Sequence, residues 1–321
     1  MSKKSKIGLG AINVAKEAVN VIAIIAVLLL LIYGSFSIWD SRQVHVAASS
    51  ANYTQFRPTE DNSLSFDELR EINSEVFAWL TVFGTNIDYP IVQGDEQDNI
   101  KYVNTNVFLE FSPSGAIFME WRNARDFSDF KSIFFGHHMA RNVKFGEIAN
   151  FHNEDYFNAR KYGTLFFGGQ THGLEFFAFL HTHAYDDKTF NVSITDTAAK
   201  QQNLDYLLNL SIHIREDIDV TIEDRLLLLS TCSDESTNGR DILIARIIDY
   251  VPANPFETET PDANTIPVIG ELAGLWARLS VAMKIIIIAL PLLLTALVCI
   301  FIIKNKKRKN SRKYIGGSDL R

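Results

Sequence analysis

Three side chains in this 321-residue chain have the types and settings for nucleophilic chemistry. Cys232 closes the apolar run Leu226-Leu227-Leu228-Leu229-Ser230-Thr231. Gly136-His137-His138 follows a second apolar run, Ile133-Phe134-Phe135. Arg240 follows Asn238-Gly239 and opens a third run, 241–248. Short apolar runs bounded by turn residues read as buried strands. A thiol, an imidazole and a guanidinium therefore each sit at a strand–loop junction, where the backbone is held and a side chain can face a cleft. The thiolate, and not the thiol, is a nucleophile. An imidazolium beside it stabilises the thiolate and can protonate a leaving amine. A guanidinium offers fixed donors to a developing oxyanion or a substrate carbonyl. Taken singly, the same residues describe a buried Cys, a surface His and a surface Arg. They work together only where the three strand ends lie on one side of the fold.

The elements that must position them read as a β-rich domain. Ser65-Phe66-Asp67-Glu68 has the form of a capping box and predicts a helix continuing through Leu69, Ile72, Val76 and Trp79. Strands are expected over 80–83 and 87–93, around the turn Gly84-Thr85-Asn86, with Pro90 marking the second as an edge or irregular strand. Further strands are expected at 116–119, 132–135, 164–167 and 174–181. The last two form a hairpin with an enlarged loop, Gly168-Gly169-Gln170-Thr171-His172-Gly173. Buried strands follow at 225–231 and 242–248. Leu204, Leu207, Leu208 and Ile212 recur at helical spacing and predict a helix over 198–214. Short strands with two or three inserted helices suggest a closed or nearly closed β-barrel.

Charge and hydropathy place this domain between two membrane segments. The net charge is −7, but residues 1–38 hold four Lys against one Glu and residues 304–321 hold eight Lys/Arg against one Asp, which leaves −17 on 39–303. An acidic middle between basic ends argues against nucleic-acid binding. Apolar stretches at 18–39 and 281–303 are long enough to span a bilayer of roughly 30 Å, and Pro291 is tolerable in the second. The flanking Lys and Arg place both ends in the cytoplasm and the middle outside the cell. The expected organisation is a cytoplasmic terminus (1–17), a membrane helix (18–39), an extracellular stalk (40–64), a folded domain (65–251), a Pro-containing linker (252–280), a second membrane helix (281–303) and a basic cytoplasmic tail (304–321). A cleaved signal ending at Val46-Ala47-Ala48 is the alternative for the first segment, but that site lies far beyond the apolar run. Only two cysteines are present. Cys299 lies in the second membrane segment, so it cannot pair with Cys232, and a disulfide-stapled or Cys-rich zinc module is excluded.

The motifs resemble those of one family. Leu229-Ser230-Thr231-Cys232, followed eight residues later by Arg240 and an apolar strand, resembles the active-site signature of sortases. Phe135-Gly136-His137-His138-Met139 resembles the histidine segment of class B sortases in particular. Trp79-Leu80-Thr81-Val82, the stretch from Gly84 through Pro90 to Gln93, Asp98-Asn99 and Gly115-Ala116-Ile117-Phe118-Met119 add to the resemblance, which covers roughly 66–251. It implies a mainly β fold, an eight-stranded sortase barrel with inserted helices, flanked here by two transmembrane helices. It implies a membrane-anchored cysteine transpeptidase of Gram-positive bacteria, with Cys232 as nucleophile, His137 as general acid/base and Arg240 stabilising substrate and oxyanion. Ser230, Thr231 and Asn99 become candidate substrate contacts. The expected partners are surface or pilin proteins bearing a C-terminal sorting signal, cleaved after Thr. The amine acceptor is a cell-wall peptide or a pilin lysine. No cofactor is implied. The chain departs from the family at Leu228, where a threonine is common. Its C-terminal membrane segment is more typical of pilus-building class C sortases, yet it has no Asp-Pro pair of the kind their lid carries.

Other constellations are weaker. His181 and His183 alternate on one expected strand and share a face, but no neighbouring Cys or carboxylate pattern completes a metal site, and none is expected. Asp186-Asp187 and Asp217 to Asp219 read as solvated turns, and Asp234 and Glu235 as either exposed or helping to position Arg240. Two other functions use the same sequence: a cysteine protease with water as acceptor, and a non-catalytic two-pass surface receptor whose cysteine is inert.

Overall fold

The computed structural model of the protein describes residues 3–58, 64–232 and 238–256. Helix α1 (Lys3–Ala48) contains the apolar stretch 18–48 and is, among the described residues, the one helix long and apolar enough to cross a membrane. The segment expected as a second span, 281–303, lies outside the described residues, as do most of the linker, the basic tail, Asp234 and Glu235. After α1 the chain is not a free stalk. Tyr53 is buried in the domain core between two short 3-10 turns (Ser50–Asn52, Thr54–Phe56), and the Tyr89 hydroxyl donates to the Ala48 carbonyl at 3.1 Å. The aromatic content of 53–56, hidden in a polar composition, accounts for this.

Helix α2 (Leu64–Ile72) opens one residue ahead of Ser65, so Ser65 is not its cap, and it stops earlier than its periodicity predicts. Asn73 turns the chain: its side chain accepts from the Glu75 amide and donates to the Val107 carbonyl. Val76 and Trp79 then belong to strand β1 (Val76–Val82), antiparallel to β2 (Asp88–Val92). Pro90 is accommodated because β2 meets its other neighbour, β3 (Ile117–Met119), only at Ile91 and Val92. Strand β4 (Lys131–Phe135) follows, then the small ladder of β5 (His138–Met139) with β6 (Val143–Lys144), a 3-10 helix (Gly146–His152) and α3 (Glu154–Ala159). Strands β7 (Tyr162–Phe167) and β8 (Gln170–His183) form a tight hairpin rather than one with an enlarged loop. Gly168 and Gly169 both have positive φ, and Phe167 already pairs with Gln170. Helix α4 (Asp187–Phe190) and helix α5 (Thr197–Leu210) come next. Residues 211–214, expected to continue the helix, form strand β9 (Ser211–Ile214) on the edge of β8, where Ile212 is exposed. Strands β10 (Arg225–Cys232) and β11 (Gly239–Ile248) end the domain.

Eight strands close in the order β11-β10-β4-β3-β2-β1-β7-β8, and β8 pairs back onto β11; β9 is an addition to β8. The barrel is mixed, with β10 parallel to β4 and β2 parallel to β3. Its closure leaves no open edge in the eight-strand circuit. Leu227, Leu229, Leu243, Ala245 and Ile247 belong to the interior core. Leu226, Leu228, Ile242 and Ile244 belong to a second apolar layer that includes Leu204 and Leu207 of α5. The unbroken leucine run is thus a strand covered on both faces. The expected eight-stranded barrel with inserted helices is the observed architecture.

Candidate active site

Strand polarity gathers the three candidate positions at one rim. Strands β4 and β10 run parallel, with Phe135 in register with Ser230, and the Gly136 amide donates to the Ser230 carbonyl at 3.2 Å. His137 and Cys232 therefore leave the sheet at the same end, each two residues beyond that pair. Strand β11 returns antiparallel to β10, and its start brings Arg240 into register with Cys232. On its other side Arg240 is in register with Thr182 of β8. The Arg240 guanidinium is half-buried and donates from Nη1 to the Gly239 carbonyl at 2.9 Å.

The His137 loop is set by close packing. A Cβ on Gly136 would lie 2.7 Å from the Phe145 ring, and one on Gly146 would lie 1.9 Å from the Met139 carbonyl oxygen. Only glycine permits both approaches. The Phe145 amide donates to the His137 carbonyl at 3.2 Å, which closes the loop around β5 and β6. The half-buried His137 ring has Nε2 2.8 Å from the Val103 carbonyl, so the connection between β2 and β3 orients the imidazole. Behind the loop, Lys144 is buried beneath the Tyr53 and Tyr89 rings, 5.2 and 4.9 Å from their centroids. Burial pushes its ammonium down to about 7. The Tyr89 hydroxyl accepts from the Lys144 amide and donates to the Ala48 carbonyl, so one side chain links the end of α1 to the hairpin after His137.

A third wall is pinned to β4. Lys131 Nζ donates to the carbonyls of Lys188 and Thr189 and to Asn203 Oδ1, at 3.2, 2.8 and 2.9 Å. Burial pushes this ammonium down to about 7, against the attraction of Asp186. Asp186 caps α4. Burial raises its carboxyl pKa, but hydrogen bonds from Thr189, Thr182 and Tyr206 outweigh that and hold it below the usual range. Phe190 of α4 stacks on Phe135, which sits against Phe118. The result is an apolar flank beside the strand end that carries His137.

A rim that brings a cysteine, a histidine and an arginine together on a mixed eight-stranded barrel has close counterparts. No family model matches the chain. A Streptococcus pyogenes class B sortase involved in pilus biogenesis is 42% identical, and the match covers 98% of that chain and 57% of this one with a TM-score of 0.52. The chain belongs to the class B sortases. Sortase B of Clostridium perfringens is 34% identical over 100% of its structure and 57% of this chain, with a TM-score of 0.54. Sortase B of Staphylococcus aureus is 26% identical over 98% of its length and 73% of this chain. This sortase is a cysteine transpeptidase, and its apolar N-terminal helix fits a membrane-anchored enzyme.

The other residues singled out from the sortase sequence fall differently. Ser230 and Thr231 are 1% and 2% exposed, and their hydroxyls have no hydrogen-bond partner among the described residues. They lie within the sheet and do not present hydroxyls at the surface of the rim. Asn99 is in an exposed turn, four residues ahead of Val103, whose carbonyl meets His137. His181 does find polar partners, but not His183: its Nδ1 lies 2.9 Å from Asp241 Oδ1, and His152 Nε2 lies 3.1 Å from the same oxygen. Sequence reading missed the Val103 carbonyl, because a backbone acceptor leaves no trace in residue type. It missed His152 and Asp241 because they stand 29 and 60 residues from His181.

Proposed function

We propose that this sortase works through a thioester on Cys232, with His137 as general acid/base and Arg240 as the oxyanion and carbonyl holder. The Cys232 thiolate attacks the scissile carbonyl carbon of a sorting signal, after Thr, and the carbonyl π electrons move to oxygen, where Arg240 donates. The tetrahedral intermediate collapses, the C–N bond breaks, and the His137 imidazolium gives its proton to the departing amine. An incoming amine then attacks the thioester and yields its proton to the neutral imidazole. The new amide forms as the thiolate leaves. The observation that carries this reading is the pair of registers at one rim, Phe135 with Ser230 and Arg240 with Cys232.

The S. aureus sortase B structures that share this fold include one with a substrate and one with triglycine, which supports a peptide substrate and an amine acceptor here. Identity is higher to class B sortases of pilus systems, 42% and 39%, than to S. aureus sortase B, 26%. That difference favours a pilin lysine over a cell-wall peptide as acceptor. With basic segments at both ends of the chain, the catalytic domain belongs outside the cell between two anchors, with both termini in the cytoplasm. Ser230, Thr231 and Asn99 keep a subsidiary role, as neighbours of the reacting groups.

The test is turnover of peptides carrying a central Thr by the full chain in detergent micelles, with and without an added lysine-containing peptide. The reading predicts amine-dependent formation of a branched amide product, lost in Cys232→Ala. Hydrolysis alone, unchanged by the amine, would favour the protease reading. Turnover by Cys232→Ala would remove Cys232 from the mechanism.

A further inference from the structure

One polar cluster at this end of the barrel is left unused by that chemistry. Asp241 follows Arg240 in β11, so alternation assigns it to the opposite face, with the interior residues Leu243, Ala245 and Ile247. Its register partner on β8 is His181. His152, the last residue of the 3-10 helix after the His137 loop, reaches the same carboxylate. The ligating atoms, His152 Nε2, His181 Nδ1 and an Asp241 oxygen, all lie within 4.8 Å of one another. The Asp241 side chain is 1% exposed, whereas the two imidazoles are 29% and 28% exposed. A negative charge thus sits at the bottom of the cluster, and neutralisable donors line an opening to solvent.

We propose that His152, His181 and Asp241 bind a divalent first-row cation of the zinc class. Two imidazoles and one carboxylate, with a fourth position open to water, are the donor set of open zinc sites. Magnesium and calcium favour oxygen-rich shells and are poorly served by it. In tetrahedral zinc geometry, with ligand distances of about 2.0–2.1 Å, neighbouring donor atoms stand roughly 3.3 Å apart. The observed 2.9 and 3.1 Å separations need widen by only a few tenths of an ångström to admit the ion. Each neutral imidazole moves its N–H to the outward nitrogen and offers a lone pair inward. The supports are in place: His152 packs edge-on against Phe179 at 4.9 Å, and its carbonyl lies 2.9 Å from His213 Nε2. A bound cation would clamp the Gly146–His152 helix to β8 and β11, one residue from Arg240 but on the other face of the strand.

The test is calorimetric titration of the metal-stripped full chain in micelles with Zn2+, together with the absorption spectrum after adding Co2+. One Zn2+ per chain is expected, with His152→Ala and His181→Ala each weakening binding by at least about tenfold. His183→Ala and Cys232→Ala should leave it unchanged. Co2+ should give visible ligand-field bands without a thiolate charge-transfer band, a readout on the wild-type chain that no folding defect in a variant can obscure. Absence of Zn2+ binding by the wild type, or a thiolate band and loss of binding in Cys232→Ala, would overturn the proposal.

Discussion

Cys232 and Arg240 are the last register pair of the β10–β11 ladder, and Arg240 is simultaneously in register with Thr182 of β8. The guanidinium position is therefore fixed from both sides by a closed barrel. Positions directly opposite in an antiparallel pair lie on one face of the sheet. A planar fork held there can give two parallel hydrogen bonds to a carbonyl or an oxyanion, whereas an ammonium on a flexible stem acts as a point charge.

Substituting Arg240 should therefore reduce turnover without unfolding the domain. Arg240→Ala is expected to lower kcat/KM by about 10²–10³-fold, the usual cost of losing an oxyanion donor. Arg240→Lys should recover little of it, because charge is retained and the fork is lost. Peptide turnover measured beside thermal unfolding checks this, and wild-type rates in Arg240→Lys would remove the bidentate role.

Gly146→Ala should damage both stability and the site. Its Cβ would meet the Met139 carbonyl oxygen at 1.9 Å, so β5 or the 3-10 helix must move, and Phe145 holds the His137 carbonyl. An overpacking cost of roughly 2–3 kcal/mol is expected. For a domain of this size that corresponds to a Tm lower by roughly 5–10 °C. Scanning calorimetry checks the first part and peptide turnover the second. A variant with wild-type Tm and rate would show that the loop tolerates the shift.

His137→Ala should lose roughly 10²–10⁴-fold in kcat, the range for a general acid/base. His138→Ala should lose far less, because His138 lies in β5, paired with Lys144, rather than at the end of β4. Single-turnover kinetics on both variants checks the assignment, and the reverse order of effects would move the role to His138.

How much of this was legible before the fold was seen differs from residue to residue. The strand ends at Phe135, Cys232 and Arg240 were readable because strands buried on both faces leave unbroken apolar runs. Val76 and Trp79 misled, since their spacing after Leu69 and Ile72 fits a helix, while Asn73 ends that helix by hydrogen bonds that residue type alone does not announce. Ile212 misled in the same way, continuing a helical spacing into a strand that exists only because β8 offers an edge. Tyr53 was lost in a polar segment, and its burial depends on Tyr89, Phe108 and Lys144 from distant parts of the chain.

Lys144 gives a pH-dependent prediction. Burial lowers its pKa from 10.5 to about 7, and no ion pair compensates among the described residues. The unfolded chain then holds more protons than the folded one between about pH 7 and pH 10.5, so stability rises with pH through that window. Lys144→Met should be more stable than the wild type at pH 7, by roughly 1–4 kcal/mol less the lost contact with the Tyr53 and Tyr89 rings. The gap should close toward pH 10. Thermal unfolding of both proteins across that range checks it, and a gap independent of pH would show that the ammonium is not held in a desolvated site.

The central claim is the acyl-enzyme on Cys232, and intact-mass measurement of the full chain, in micelles, mixed with a pooled library of peptides carrying a central Thr, tests it most directly. The account predicts one added acyl group, mapped by proteolysis to the segment containing Cys232, discharged by an amine and absent from Cys232→Ala. No adduct on the active wild-type enzyme, or the same adduct persisting in Cys232→Ala, would contradict it.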